Sequence, residues 1–352
     1  MAEQFSLFSG SLAQFAPVPK ESAAATRDKR TRAQVPSFDG QPQPAKRGPA
    51  NVYFGTSSWT YPGWQGGVYR DVEAYGKRFT ELSLTEYARD PRFRCAGADN
   101  LYYLPPASRL SLLQKYAAQL QKLPEPILLC PKVWHGVTVH RYTPLQREQW
   151  RLSSELNPLF LDAAAFINEV ALPLQEGLGQ FLGPLILELQ ENELQEPAFV
   201  AQLGGFLEAV RAQLGDGLQL SVELRTAGHL TPRYLQLLQR LGAAHVLNSW
   251  TRMPSIGWQF DRVQEQRGPW PLYVIRALLV PGVRYEDASV FAPYDRLMTR
   301  ADAVRADIVR VLRTLPEHRP GFVLVNNHLE GHSPATISDL QDQLAQGAPA
   351  GH

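Results

Sequence analysis

The residues most able to do chemistry stand together near the C-terminal end, in Asn326-Asn327-His328-Leu329-Glu330-Gly331-His332-Ser333-Pro334. His328, Glu330 and His332 alternate, so an extended segment would aim all three to one side. That spacing suits a divalent metal, although it is not the helical H-E-x-x-H arrangement. A polar loop capping the last helix explains the same residues, with Ser333 as N-cap and His332 packing locally. The loop reading is preferred, so no metal centre is predicted. His328, Glu330 and His332 are kept as candidate ligands should the cofactor be a divalent metal.

A second set is cationic. Lys132, Arg225 and Arg276 each follow or close a short apolar run, and Glu223 interrupts one. A charge in a buried strand is costly unless paired. Two readings satisfy this: a structural Glu–Arg pair, or a site for an anion. Arginine forks and helix N-termini both favour phosphate. In the second reading Lys132, Arg225 and Arg276 hold a phosphate, and Glu223 or His328 transfers a proton. Asn326 and Asn327 then orient the substrate or a water. Trp59, Tyr61, Trp64 and Tyr69 follow the first apolar run. Trp59 and Trp64 are candidate stacking surfaces for a base or sugar, and packing of the loop onto the body is the competing explanation.

These residues need a scaffold that brings them together. Short apolar runs at 51–55, 93–97, 127–131, 185–189, 219–224, 244–248, 272–276 and 321–325 read as strands, the second being weak. Continuous apolar strands are buried on both faces, as in a parallel sheet. Helical patterns lie between them at 106–122, 159–172, 196–213, 231–241, 297–314 and 334–345. Ser333-Pro334 and Thr231-Pro232 each offer a capping hydroxyl before a proline at the first helical position. Eight strand–helix units predict an α/β fold of the (β/α)8 TIM-barrel type, whose sites form at the C-terminal ends of the strands. A doubly wound open sheet is the alternative. The turn after the first strand, TSSWTYPGW, has none of the glycine fingerprint that such a sheet usually carries there.

The chain has 352 residues and a net charge of +1. Its first 50 residues hold seven basic and four acidic side chains, which leaves the remainder at −2. Residues 11–50 show no sustained periodicity and few large apolar groups, so a disordered basic tail over 1–50 is predicted. A barrel domain over 51–346 and a flexible end over 347–352 complete the organisation. Two cysteines, Cys95 and Cys130, suggest no disulfide scaffold. No signal peptide or membrane span is read, and a cytoplasmic location is expected.

Four motifs carry a resemblance to a family. G-T-S-S-W-T-Y-P-G-W (55–64), V-E-L-R (222–225), Y-V-I-R (273–276) and N-N-H-L-E-G-H-S-P (326–334) occur in order over 51 to about 345. Together they resemble the YecE-like family, known as domain of unknown function 72. The resemblance implies a (β/α)8 barrel and supplies no reaction. Departures from the family pattern stand at Ala96, where it has glutamate, Glu188 (glutamine) and Asn248 (aspartate). Ala277-Leu278 replace its His-Gly, and an extra charged segment lies near 83–92. The missing acids weaken a carboxylate-rich metal site or an acid/base pair.

At the other end, Gln4-Phe5-Ser6-Leu7-Phe8 is similar to the Q-L-[S/D]-L-F peptide by which bacterial repair and replication proteins hold the sliding clamp. Leu7 and Phe8 are adjacent apolar anchors, and Gln4 offers a donor and an acceptor. Clamp and nucleic acid are thus the expected partners. The leading functional expectation is binding or processing of a phosphate-bearing nucleic acid or nucleotide in repair or replication. Enzymes of sugars or sugar phosphates, and a non-catalytic adaptor, are the alternatives.

Overall fold

A computed structural model describes residues 41–346. The residues carrying Gln4, Leu7 and Phe8, and the end at 347–352, lie outside this range. Eight short strands form: β1 Val52–Thr56, β2 Cys95–Ala98, β3 Leu128–Pro131, β4 Leu185–Leu189, β5 Leu220–Leu224, β6 Ala244–Asn248, β7 Tyr273–Ala277 and β8 Gly321–Val325. The pairings between these strands are parallel. One sheet has the order β1-β8-β7-β6-β5-β4, and β2 pairs with β3. The pair is tied to both edges of the larger sheet. Arg94 N, just before β2, donates to Phe54 O of β1 (2.8 Å), and Val133 N, just after β3, to Ile186 O of β4 (2.9 Å).

The main helices are α1 Leu84–Arg89, α2 Arg109–Leu120, α3 Leu172–Leu178, α4 Glu196–Leu214, α5 Pro232–Arg240, α6 Ile256–Glu265, α7 Asp302–Thr314 and α8 Ser333–Gln346. The extra segment near 83–92 is α1. Its Tyr87 hydroxyl donates to Cys95 O and accepts from Thr56 N, both at 3.1 Å, and so joins the ends of β1 and β2. The stretch expected to be helical from 297 begins at Asp302 instead. Met298 N is held by Glu330 O (2.7 Å) and Ala301 N by the Glu330 carboxylate (2.5 Å), which fixes that approach as a loop.

Thr231 caps α5 as expected, accepting from Tyr234 N. Ser333 does not cap α8. It already lies within the helix, and His332 Nδ1 accepts Ala335 N at 3.2 Å in its place. Residues 41–50 fall within the expected tail over 1–50. They lie against the body: Lys46 Nζ donates to Ala88 O (2.5 Å) and Asp90 O (3.0 Å), and Arg47 pairs with Asp342 (2.5 Å). Lys46 has its ammonium pushed down to about 8, because burial outweighs the attraction of Asp90.

Two larger apolar regions and two small ones form among the described residues. Val52, Phe54, Leu187, Val222, Leu247 and Ile275 face the helices within the larger core. The alternate residues Cys95, Cys130, Ile186, Val246, Val274 and Leu324 form a separate cluster, and both thiols are free. Gly55 lies where β1 meets β2. A Cβ there would stand 2.0 Å from Cys95 O, so only glycine allows this approach. Gly55→Ala is expected to cost about 1–3 kcal/mol by overpacking. An unfolding midpoint in urea equal to wild type would contradict it.

Candidate functional site

A strand repeats every two residues, so each inner apolar side chain predicts the position above it. Two residues past Cys130, Ile186 and Val274 stand Lys132, Glu188 and Arg276; Glu223 follows Ser221, and Arg225 follows Glu223. Glu188 and Glu223 are register partners on β4 and β5. A layer of charge therefore sits at the C-terminal ends of the strands, next to the inner apolar cluster.

The charges are joined. Glu188 is the hub: Oε1 lies 2.8 Å from Lys132 Nζ, and Oε2 lies 2.8 Å from Arg225 Nη2 and 2.9 Å from Arg276 Nη1. Glu223 lies 2.6 Å from Arg225 Nη2 and 2.8 Å from Arg276 Nη1. Arg276 Nη2 reaches Asp99 Oδ2 at 2.7 Å. Gln190 Nε2 also donates to Glu188 (2.6 Å). Two aromatic faces support the cations. Lys132 Nζ lies 3.9 Å from the centre of the Tyr102 ring, and the Arg225 guanidinium 4.0 Å from that of Trp250.

Burial alone would push the Glu188 carboxyl up, but Arg225, Lys132 and Arg276 outweigh it and hold the group ionised well below the usual carboxylate range. Burial would lower the Arg276 guanidinium, yet Asp99, Glu223 and Glu188 keep it firmly charged. The network is three cations against three carboxylates. The arginines are paired with carboxylates, as the structural reading of these residues expects, and some of their hydrogen-bonding capacity is left over. Arg225 Nε and Nη1 and Arg276 Nε find no acceptor, and Asp99 Oδ1 finds no donor. Asp99, Glu188, Gln190, Tyr102 and Trp250 were missing from the expected site residues. Counting two residues along β4 from Ile186 reaches Glu188, so that signal was in the sequence.

Other expected site residues lie elsewhere or play other parts. Trp59 and Trp64 are each 1% exposed and offer no free ring face. Trp59 stands edge-on to Tyr116, and Trp64 packs against Tyr61, Tyr69 and Tyr87. They are core residues, which corrects the stacking expectation. His328, Glu330 and His332 do not share a face, because Asn327–Glu330 is a helical turn rather than an extended segment. His328 Nε2 meets the Tyr294 hydroxyl (2.7 Å), while His332 caps α8. Glu330 is buried against Arg305, and Thr336 Oγ1 donates to it (2.7 Å). Its remaining ligand capacity is spent on holding three segments together. Among the described residues no group of three or more His, Cys, Asp or Glu is arranged to hold a metal ion.

Asn326 accepts His328 N (2.9 Å), and buried Asn327 accepts Ser333 N (2.8 Å). Both shape the β8 loop. Burial pushes the His328 imidazole down to about 4, so it is neutral at pH 7. Glu223 is tied to two arginines. No helix among the described residues is long and apolar enough to cross a membrane.

The family model described as "Protein of unknown function DUF72" matches residues 53–351. A DUF72 family protein of Enterococcus faecalis is similar in structure, with 17% identity and a TM-score of 0.53 over 85% of this chain and 97% of that one. One from Thermotoga maritima gives 17% identity and 0.50 over 84% and 99%. No curated protein matches the chain significantly. At this identity the two structures speak for the fold, and the family follows from the model that spans the body: the chain belongs to the DUF72 family.

Proposed function

We propose that the eight strands close into a (β/α)8 barrel and that their C-terminal ends bind a phosphate-bearing nucleotide or nucleic acid. Closure is supported by the hydrogen bonds that tie β2 to β1 and β3 to β4. One observation carries the binding reading. Arg225 and Arg276 are almost wholly buried and paired, yet three of their guanidinium nitrogens lack an acceptor. A buried donor without a partner costs about 1–3 kcal/mol, and phosphate oxygens are acceptors suited to guanidinium N–H groups. Binding is favoured over turnover because the Glu223 carboxylate is engaged by Arg225 and Arg276.

Thermal-shift titration tests this with orthophosphate, nucleoside monophosphates, single-stranded and duplex DNA, sugars and sugar phosphates. Stabilisation is expected from the phosphate-bearing ligands, with Arg225→Gln reducing affinity at least about tenfold, the loss of one charge-assisted bond. Equal stabilisation by sugars without phosphate would favour the sugar reading. A flat screen would remove the site.

Recruitment to the sliding clamp through Gln4, Leu7 and Phe8 is part of the same proposal, supported by the peptide sequence. Fluorescence anisotropy of a labelled peptide of residues 1–14 should saturate in the micromolar range with the bacterial clamp (about 8 kcal/mol of binding). A Leu7→Ala/Phe8→Ala peptide should fail. Equal binding by the two peptides would dismiss the motif.

A further inference from the structure

We propose that the phosphate enters this site as a complex with a divalent cation, the cation being shared between Asp99 Oδ1 and phosphate oxygens. The inference rests on the phosphate reading above and names the form in which the ligand is taken. It begins with charge. Lys132, Arg225 and Arg276 are already balanced by Asp99, Glu188 and Glu223. A phosphate monoester carries about −1.5 to −2 at neutral pH. Added alone, it would leave that charge uncompensated among groups withdrawn from water, where an unpaired ion is heavily penalised. A divalent cation restores neutrality.

The spare capacity is also of two kinds. The guanidinium N–H groups without acceptors belong to Arg225 and Arg276, and suit phosphate oxygens. Asp99 Oδ1 lacks a donor and suits a hard cation. Asp99 is the most exposed of the three carboxylates, its side chain 24% exposed against 4% and 0% for Glu188 and Glu223, while Oδ1 itself is turned inward and buried. Magnesium is commonly held by one or two carboxylates together with substrate phosphates rather than by a protein cage. The absence of a three-ligand group among the described residues agrees with a cation that needs the phosphate in order to stay.

Isothermal titration of the full chain with orthophosphate and with a nucleoside 5′-monophosphate, each with magnesium and with EDTA, tests the proposal. Phosphate affinity is expected to rise at least about tenfold with magnesium, equivalent to about 1.4 kcal/mol. Magnesium alone should bind much more weakly. In Asp99→Asn the network gains one net positive charge, so phosphate should bind as well with EDTA as with magnesium. Asp99→Glu should keep the metal dependence. Phosphate binding to wild type that ignores magnesium, or dependence retained in Asp99→Asn, overturns this inference and leaves the phosphate site standing. No binding under any condition overturns both. If Asp99→Asn fails to fold by circular dichroism, the wild-type comparison with and without chelator still decides.

Discussion

Replacing Arg276 with methionine is expected to destabilise the protein by about 3–5 kcal/mol, the typical cost of removing one partner from a buried ion pair. Arg276 touches three carboxylates, on Glu188, Glu223 and Asp99. Methionine fills similar space but leaves Glu223, wholly buried, with Arg225 as its remaining ion-pair partner. The asymmetry matters here. Swapping an entire buried network for apolar groups is often neutral, whereas orphaning one member is not. Arg310→Met makes the control. Its partner Asp261 is exposed, and such surface pairs contribute about 0–1 kcal/mol. Urea denaturation of both variants gives the comparison. A loss at Arg276 no larger than at Arg310 would mean that the network does not hold the strand ends together.

Acid should weaken the fold through its buried histidines. His245 is wholly buried on β6, between the Tyr234 hydroxyl (3.1 Å) and Gln259 Oε1 (3.2 Å). Burial is the main reason its imidazole is pushed down to about 4, with the Gln259 contact opposing. Burial likewise lowers His135 to about 3 and His328 to about 4. The unfolded chain takes up these protons near pH 6.5, the folded chain only near 4 or below. Stability is therefore complete above about 6.5, falls as the pH drops towards about 4, and stops falling from this cause once the folded imidazoles are charged. A shift from 6.5 to about 4 corresponds to roughly 3 kcal/mol for one histidine. Glu188, held low by its cations, adds a second loss at still lower pH. Urea midpoints measured from pH 7 to 4 check this, and His245→Asn should flatten part of the slope. A stability independent of pH across that range would refute it.

Much of the architecture can be read from the residues alone. The runs 185–189, 244–248 and 321–325 are strands at those bounds, because dense apolar residues between polar breaks leave no other way to bury them. The second strand was faint in sequence. Ala96, Gly97 and Ala98 have little side chain to signal burial, and β2 forms because glycines at 55 and 97 let the β1 and β2 backbones approach closely. The family was legible from motifs that later proved to be a loop, two strands and a helix start.

The sequence by itself determined which charges interrupt the strands, and period two along each strand determined their level. The tertiary structure alone decided that they meet. Asp99 and Arg276 are 177 residues apart yet share an ion pair, and Glu188 gathers cations from just past β3, just past β5 and within β7. It also decided that Trp59 and Trp64 are core, and that one helical turn divides His328, Glu330 and His332 among different neighbours. The reason is physical. Local pattern fixes a side chain's face through backbone geometry, whereas the neutralisation of a buried charge depends on which distant strand becomes its neighbour.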